Sequence, residues 1–284
     1  MSTKAQSGIL VQLLTALLAG PLLLSACSPA VPATSQPNPT ATSAPSATLA
    51  PTATLAPVAT AVPTTEGSPQ LSLDTGSVAT GFQTETVAAV SAGESAPNWE
   101  VLPEYTRVTL QGYPIDNHLM KPQIFIYPAK DLGQVNEGAG KIVASLETLL
   151  QSPQEIQHMP FLPLFNAAQV MHAHVQFLDF KNGQGLRYLT EFDQGILPIN
   201  NYELIYTYQG LTKDGQYYVA AVLPVNHPSL PADGNVTGNE APEFTSDFPT
   251  YLANVVKSLN SQGAQTFTPD LTQLDAMLSS LEIK

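Results

Sequence analysis

The distribution of apolar positions divides the chain into three stretches. Positions 9–24 are almost continuously apolar, from Ile9 through Leu13, Leu14 and Leu17 to Leu24. Positions 28–69 hold mainly proline, threonine, alanine and serine with no aromatic residue, and Pro45, Pro51, Pro57, Pro63 and Pro69 recur at every sixth place. Sustained patterning begins near Trp99. Positions 106–110 and 123–127 alternate as strands around a Gly112-Tyr113-Pro114 loop, and Ile142, Leu146 and Leu149 fall at helical spacing within 138–150. After a proline-broken loop over 152–163, the stretches 170–180 and 186–192 predict a hairpin turning at Asn182-Gly183. A second hairpin joins 203–209 to 216–223 through Asp214-Gly215. Phe248, Leu252, Val255 and Leu259 line one face of a helix with Ser246 as its N-cap and Gly263 as its stop. Thr268-Pro269-Asp270, in the order cap, proline and acid, then opens a last helix striped by Leu271, Leu274, Leu278 and Leu281.

Strands in a block followed by helices predict an α+β fold, an antiparallel meander covered by helices. The expected organisation is a leader over 1–26, a disordered tether over 27–98 whose last part can carry a docked strand, and one globular domain over 99–284. The tether cannot bury enough surface to offset its ordering entropy. Its proline spacing favours extended conformations, so about 40 such residues reach on the order of 100 Å when fully extended.

Charge sharpens this division, since after Lys4 the next charged residue is Glu66. Ten basic against 23 acidic residues give a formal charge of -13, which repels phosphate backbones and argues against a nucleic-acid partner. The single cysteine, Cys27, excludes an internal disulfide and a thiolate zinc cluster.

Lys4, the apolar run and the small residues after it have signal-peptide architecture. The run ends in Leu24-Ser25-Ala26-Cys27, which resembles the lipobox of bacterial lipoproteins. That resemblance implies diacylglycerol on the Cys27 thiol, cleavage before Cys27, and anchoring to a cell or outer membrane on the extracytoplasmic side; two or three acyl chains hold a protein stably where one does not. Ser28 stands where an aspartate would resemble an inner-membrane retention signal. Pro21 and the small residues disfavour the alternative of an uncleaved transmembrane helix.

Two further resemblances concern the globular part. The closing segment Leu274-Asp275-Ala276-Met277-Leu278-Ser279-Ser280-Leu281, after a meander, resembles the end of the Mog1/PsbP-like fold, and implies an α/β/α sandwich. Domains of that kind commonly bind or help assemble other proteins, which implies an envelope protein or glycan as partner. Pro198-Ile199-Asn200-Asn201 and Gln209-Gly210-Leu211-Thr212 are similar to segments of a group of uncharacterised bacterial lipoproteins, a likeness that implies no activity.

Candidate chemistry is sparse. His172 and His174, two apart on a strand, share a face in regular geometry and form a candidate metal pair for a hydrolase, with His158, Asp179 or His227 as third ligand; two polar residues on a half-exposed strand are the preferred alternative. Asp233, Asn235 and Thr237 before Gly238 follow the first half of a calcium loop, as an adhesion module would need. Phe244 stands where the bidentate glutamate belongs, and a plain acidic surface loop is the preferred alternative. Tyr206, Tyr208 and Tyr217, with Tyr202 and Tyr218, offer either a binding platform or ordinary sheet packing. Glu191 and Asp193, following Arg187, are a carboxylate pair on a strand face or a solvated edge. No Gly-x-Ser-x-Gly elbow or phosphate-binding glycine loop is present, and no cofactor is expected. The expected function is a non-catalytic binding or assembly domain displayed by a lipid anchor.

Overall fold

The two hairpins read from the sequence close into one antiparallel sheet of seven strands. A computed structural model describes residues 69–93, 96–154 and 158–284. The leader, Cys27 and the tether up to residue 68 lie outside the described residues. In chain order the strands are β1 (Leu71–Ser72), β2 (Gly81–Val87), β3 (Tyr105–Gln111), β4 (Gln123–Pro128), β5 (Ala168–Phe180), β6 (Gly183–Asp193), β7 (Ile205–Thr212), β8 (Tyr217–Pro224) and β9 (Glu282–Ile283). The helices are α1 (Ala129–Val135), α2 (Glu137–Gln151), α3 (Pro242–Ser246), α4 (Phe248–Asn260) and α5 (Leu271–Ser279). The sheet order is β2-β3-β4-β8-β7-β6-β5, all neighbours antiparallel, so the expected meander occupies the β8 to β5 half.

Both faces of the sheet are covered. Ile124, Ile126, Val219, Ala221 and Leu223 pack with α4 and α5 on one side, while Phe125, Tyr127, Tyr218, Ala220 and Val222 pack with α1 and α2 on the other. Strand β7 is therefore buried at every position, and its alternation of apolar and polar residues does not mark an inside and an outside.

The folded body begins before Trp99, which corrects the boundary drawn there. Strand β2 pairs with β3 along its whole length from Gly81↔Gln111 to Val87↔Tyr105, and Val78 ahead of it is buried in the core. Strand β1 pairs with β9, Leu71 facing Ile283, and Gln70 and Lys284 exchange backbone hydrogen bonds at 2.7–2.8 Å. Two-residue strands carry no periodicity, and the polar face of β2 reads as linker.

Three local expectations shift for identifiable reasons. Ser246 does not cap α4, because Pro242 starts α3 and the Ser246 hydroxyl donates to the Pro242 carbonyl; Asp247 accepts from Thr250 N instead. Thr268 does not cap α5, because its backbone exchanges hydrogen bonds with Asn226, and Asp270 takes the role by accepting from Thr272 N. The β5–β6 turn is Lys181-Asn182 rather than Asn182-Gly183. Gly183 lies in β6, where a Cβ would meet the Phe180 ring at 1.9 Å.

One buried ion pair fastens α5 to the sheet. Arg187 on β6 donates from Nε and Nη2 to Asp275 at 3.1 and 3.3 Å, with the two side chains 6% and 16% exposed. Two further guanidinium protons go to Gln176 Oε1 at 2.8 Å and to the carbonyl of His174, and Tyr206 donates its hydroxyl to Asp275 at 2.9 Å.

Two outcomes follow. A chain beginning at Trp99 lacks β1 and β2, and its melting temperature should fall by on the order of 10 °C relative to the chain beginning at Pro69, with aggregation through the bared β3 edge; equal melts would restore the later boundary. In urea titrations, Asp275→Ala should destabilise by about 3–5 kcal/mol, because it strands a buried guanidinium, whereas Arg187→Met with Asp275→Leu should cost less than Asp275→Ala alone.

Candidate functional site

Strand β6 places Arg187, Leu189, Glu191 and Asp193 on one face at two-residue intervals, and the chain then loops through 194–204 before β7. That loop brings Glu203 back beside the first two carboxylates. Ligand oxygens of Glu191, Asp193 and Glu203 all lie within 4.8 Å of one another, the one such group of three metal-ligating side chains among the described residues. Glu191 is fully buried and Asp193 is 6% exposed, so the pair does not form the solvated edge that its spacing allowed.

Asn200 holds the cluster together. Its backbone N–H donates to Glu191 Oε2 at 3.1 Å, and its side-chain Nδ2 donates to Glu191 Oε1 and Glu203 Oε2, both at 2.9 Å. The amide cannot turn over without loss, because Oδ1 accepts from Tyr202 N at 2.9 Å and Nδ2 also reaches the Pro198 carbonyl. Asn201 acts on the next loop, receiving His227 N on Oδ1 and donating to the carbonyls of His227 and Leu230. The Pro198-Ile199-Asn200-Asn201 segment is thus a double clamp.

The electrostatics of the cluster are unresolved by protein groups alone. Burial, with the nearby charges of Asp193 and Glu203, pushes the Glu191 carboxyl from 4.5 up to about 9 against the opposing bond from Asn200. Burial and Glu203 push Asp193 from 3.8 up to about 6. The Asp193 Oδ2 atom is buried and has no hydrogen-bond partner. Two ionised carboxylates no more than 4.8 Å apart repel by on the order of 3 kcal/mol at an effective dielectric constant of about 20. Asp193 also borders an open depression of about 630 Å³ lined by Phe165, Asn166, Ala167, Ala168 and Gln194. The arrangement can take up protons or a hard cation.

The residues singled out from the sequence fare differently. His172 and His174 do not converge. His172 pairs with Thr190, on the face carrying Leu186 and Tyr188, whereas the register breaks between Ala173 and Gln176 and His174 stands at φ 51. His174 instead reaches the opposite side, where its Nε2 lies 2.6 Å from the Leu259 carbonyl, its ring packs on Phe267 and its N–H donates to Asn260. Of the proposed third ligands, His227 has both ring nitrogens on hydroxyls, of Ser229 and Thr266, and His158 and Asp179 belong to no three-residue ligand group among the described residues.

Asp233, Asn235 and Thr237 form a self-bonded turn. Asp233 accepts from Asn235 N, and Glu240 accepts from the backbone N–H groups of Thr237 and Gly238, while Phe244 is buried in the core. The tyrosines make no exposed platform. Tyr206, Tyr208 and Tyr218 are fully buried and donate to Asp275, the Leu178 carbonyl and Gln209 respectively, and Tyr217 is half-buried. Tyr208 also explains Gly210: a Cβ there would meet its ring at 2.6 Å.

Glu203 and Asn200 escaped the sequence reading because their link to Glu191 is a loop closure with no periodic signature. The signal that pointed toward them was the Pro198-Ile199-Asn200-Asn201 segment itself.

The raised carboxyls set the sign of a pH effect. A folded state that retains protons which the unfolded chain releases loses stability as pH rises between the two values, across the range from about 4 to 6 for Asp193 and from about 4.5 to 9 for Glu191. With chelator present, the melting temperature should fall from about pH 5 to about pH 8, and Glu191→Gln should flatten that slope; a variant slope as steep as the original would remove Glu191 from the account.

No protein-family model, curated protein or solved structure matches this chain.

Proposed function

We propose that this chain is a lipoprotein of the bacterial envelope, fastened by lipid on Cys27 to the extracytoplasmic side of a cell or outer membrane and presenting a non-catalytic binding or assembly domain. The observation that carries this reading is Leu24-Ser25-Ala26-Cys27, standing between an apolar leader and a spacer with no charged residue before Glu66 and no aromatic residue before Phe82. No helix among the described residues is long and apolar enough to cross a membrane. The body itself we take to be an α/β/α sandwich of the Mog1/PsbP kind. Helices on both sheet faces support that assignment, as does a closing helix whose Asp275 is tied to Arg187.

The hydrolase reading on His172 and His174 draws no support from the geometry, since the His174 ring is taken up by the Leu259 carbonyl and Phe267 while the strand register assigns His172 to the face of Thr190. A cation-dependent binding module remains as a second reading, favoured by the carboxylate cluster rather than by Asp233, Asn235 and Thr237. An envelope protein or a glycan is the partner class that suits a tethered extracytoplasmic domain.

Labelling cells of the native host with a palmitate analogue tests the anchor. The full-length protein should incorporate label and sediment with membranes, and Cys27→Ala should do neither. A label that survives Cys27→Ala, or a bare Cys27 thiol with the leader intact in mass spectra, would overturn the reading.

A further inference from the structure

We propose that Glu191, Asp193 and Glu203 form a divalent-cation site, with calcium the cation that it takes. Three carboxylates offer hard oxygen donors, the chemistry that suits calcium, magnesium or manganese over zinc or copper. Their oxygens already lie within 4.8 Å of one another, a spacing one ion can bridge with metal–oxygen distances of about 2.3–2.6 Å.

A cluster of acids alone would not carry this assignment, and the second observation is Asp193. It is 6% exposed, sits inside the group, and leaves Oδ2 buried with no donor from the protein. A buried carboxylate oxygen without a partner is rare in folded proteins and marks a place where a proton, a water molecule or an ion belongs. Asn200 supplies the N–H donors to Glu191 and Glu203, the remaining contacts within the group are between the carboxyls themselves, and the buried cation on the same strand, Arg187, is committed to Asp275. Shared protons or a bound cation can neutralise the group.

The surroundings suit an ion better than a shared proton. Asn200 bridges Glu191 and Glu203 from behind and is itself held by Tyr202 N, so the two carboxylates are oriented by a fixed amide in the way that outer partners orient metal ligands. Each carboxylate oxygen that accepts one N–H retains a lone pair for a cation. The depression beside Asp193, bordered by Phe165, Asn166 and Gln194, gives an entry path and room for the water ligands that complete a shell of six to eight oxygens around calcium. The preference for calcium over magnesium or manganese rests on the extracytoplasmic location proposed above, where calcium is abundant; the site itself does not.

The test uses the full-length protein, extracted in detergent and stripped with chelator, titrated with calcium chloride by calorimetry and followed by thermal melting. One calcium per chain should bind, the melting temperature should rise by several degrees at about 1 mM calcium, and the affinity should fall as pH drops from about 7.5 to about 5.5. Asp193→Asn and Glu203→Gln should each weaken binding about tenfold or more while melting no lower than the stripped original, which separates loss of ligands from loss of fold. Absence of stoichiometric binding with an unchanged melt would overturn the proposal, as would binding that persists in the double variant. Stoichiometric binding of manganese or magnesium but not calcium would overturn the choice of ion. Lipid on Cys27, measured by mass on the same preparation, reports separately on the anchor.

Discussion

Arg187 is the point on which the tertiary arrangement turns. It sits on β6, next to the edge strand, and its guanidinium is shared among Asp275 on α5, Gln176 on β5 and the carbonyl of His174. A cation buried to this degree is tolerated only with its protons satisfied, and the bulge in β5 is what presents a free carbonyl to it. The same bulge sends the His174 ring into contact with the end of α4 and with Phe267. Helix docking, the strand irregularity and the His174 contacts thus meet at one point.

The segments Pro198-Ile199-Asn200-Asn201 and Gln209-Gly210-Leu211-Thr212 serve architecture. In Gln209-Gly210-Leu211-Thr212, the Gln209 side chain accepts from Leu162 N and Tyr218 and donates to the Leu162 carbonyl, Gly210 makes room for the Tyr208 ring, and Thr212 donates to Asp214 in the following turn. Asn200 and Asn201 clamp one loop against the carboxylates and another against the core. In both segments side-chain amides satisfy backbone groups that no strand or helix partner reaches.

The carboxylate cluster brings three acidic side chains together where burial opposes their charge. Glu191 and Asp193 are pushed up mainly by burial, and among the described residues no arginine or lysine forms an ion pair with either. Stability and ligand binding are linked at such a site, because whatever neutralises the group also removes a cost of folding.

The amino-acid pattern by itself determined the elements whose hydrophobic period is long enough to read: α2, α4, α5, the strands β3 to β8 and the Asp214-Gly215 turn, with Gly215 at φ +70. It also carried the α+β class, because strands grouped ahead of helices bury their faces in few ways. Only tertiary structure decided the rest. β1 and β9 are two residues long and exist through pairing of the two ends of the described body. Tyr206 and Tyr208 are core rather than platform because helices cover their face, and His172 and His174 part because a bulge cancels the two-residue alternation. Glu203 meets Glu191 and Asp193 through a loop closed by Asn200. Local pattern records which face of an element is apolar; it does not record what covers that face or which distant side chains a loop brings together, since those are set by contacts between residues far apart in the chain.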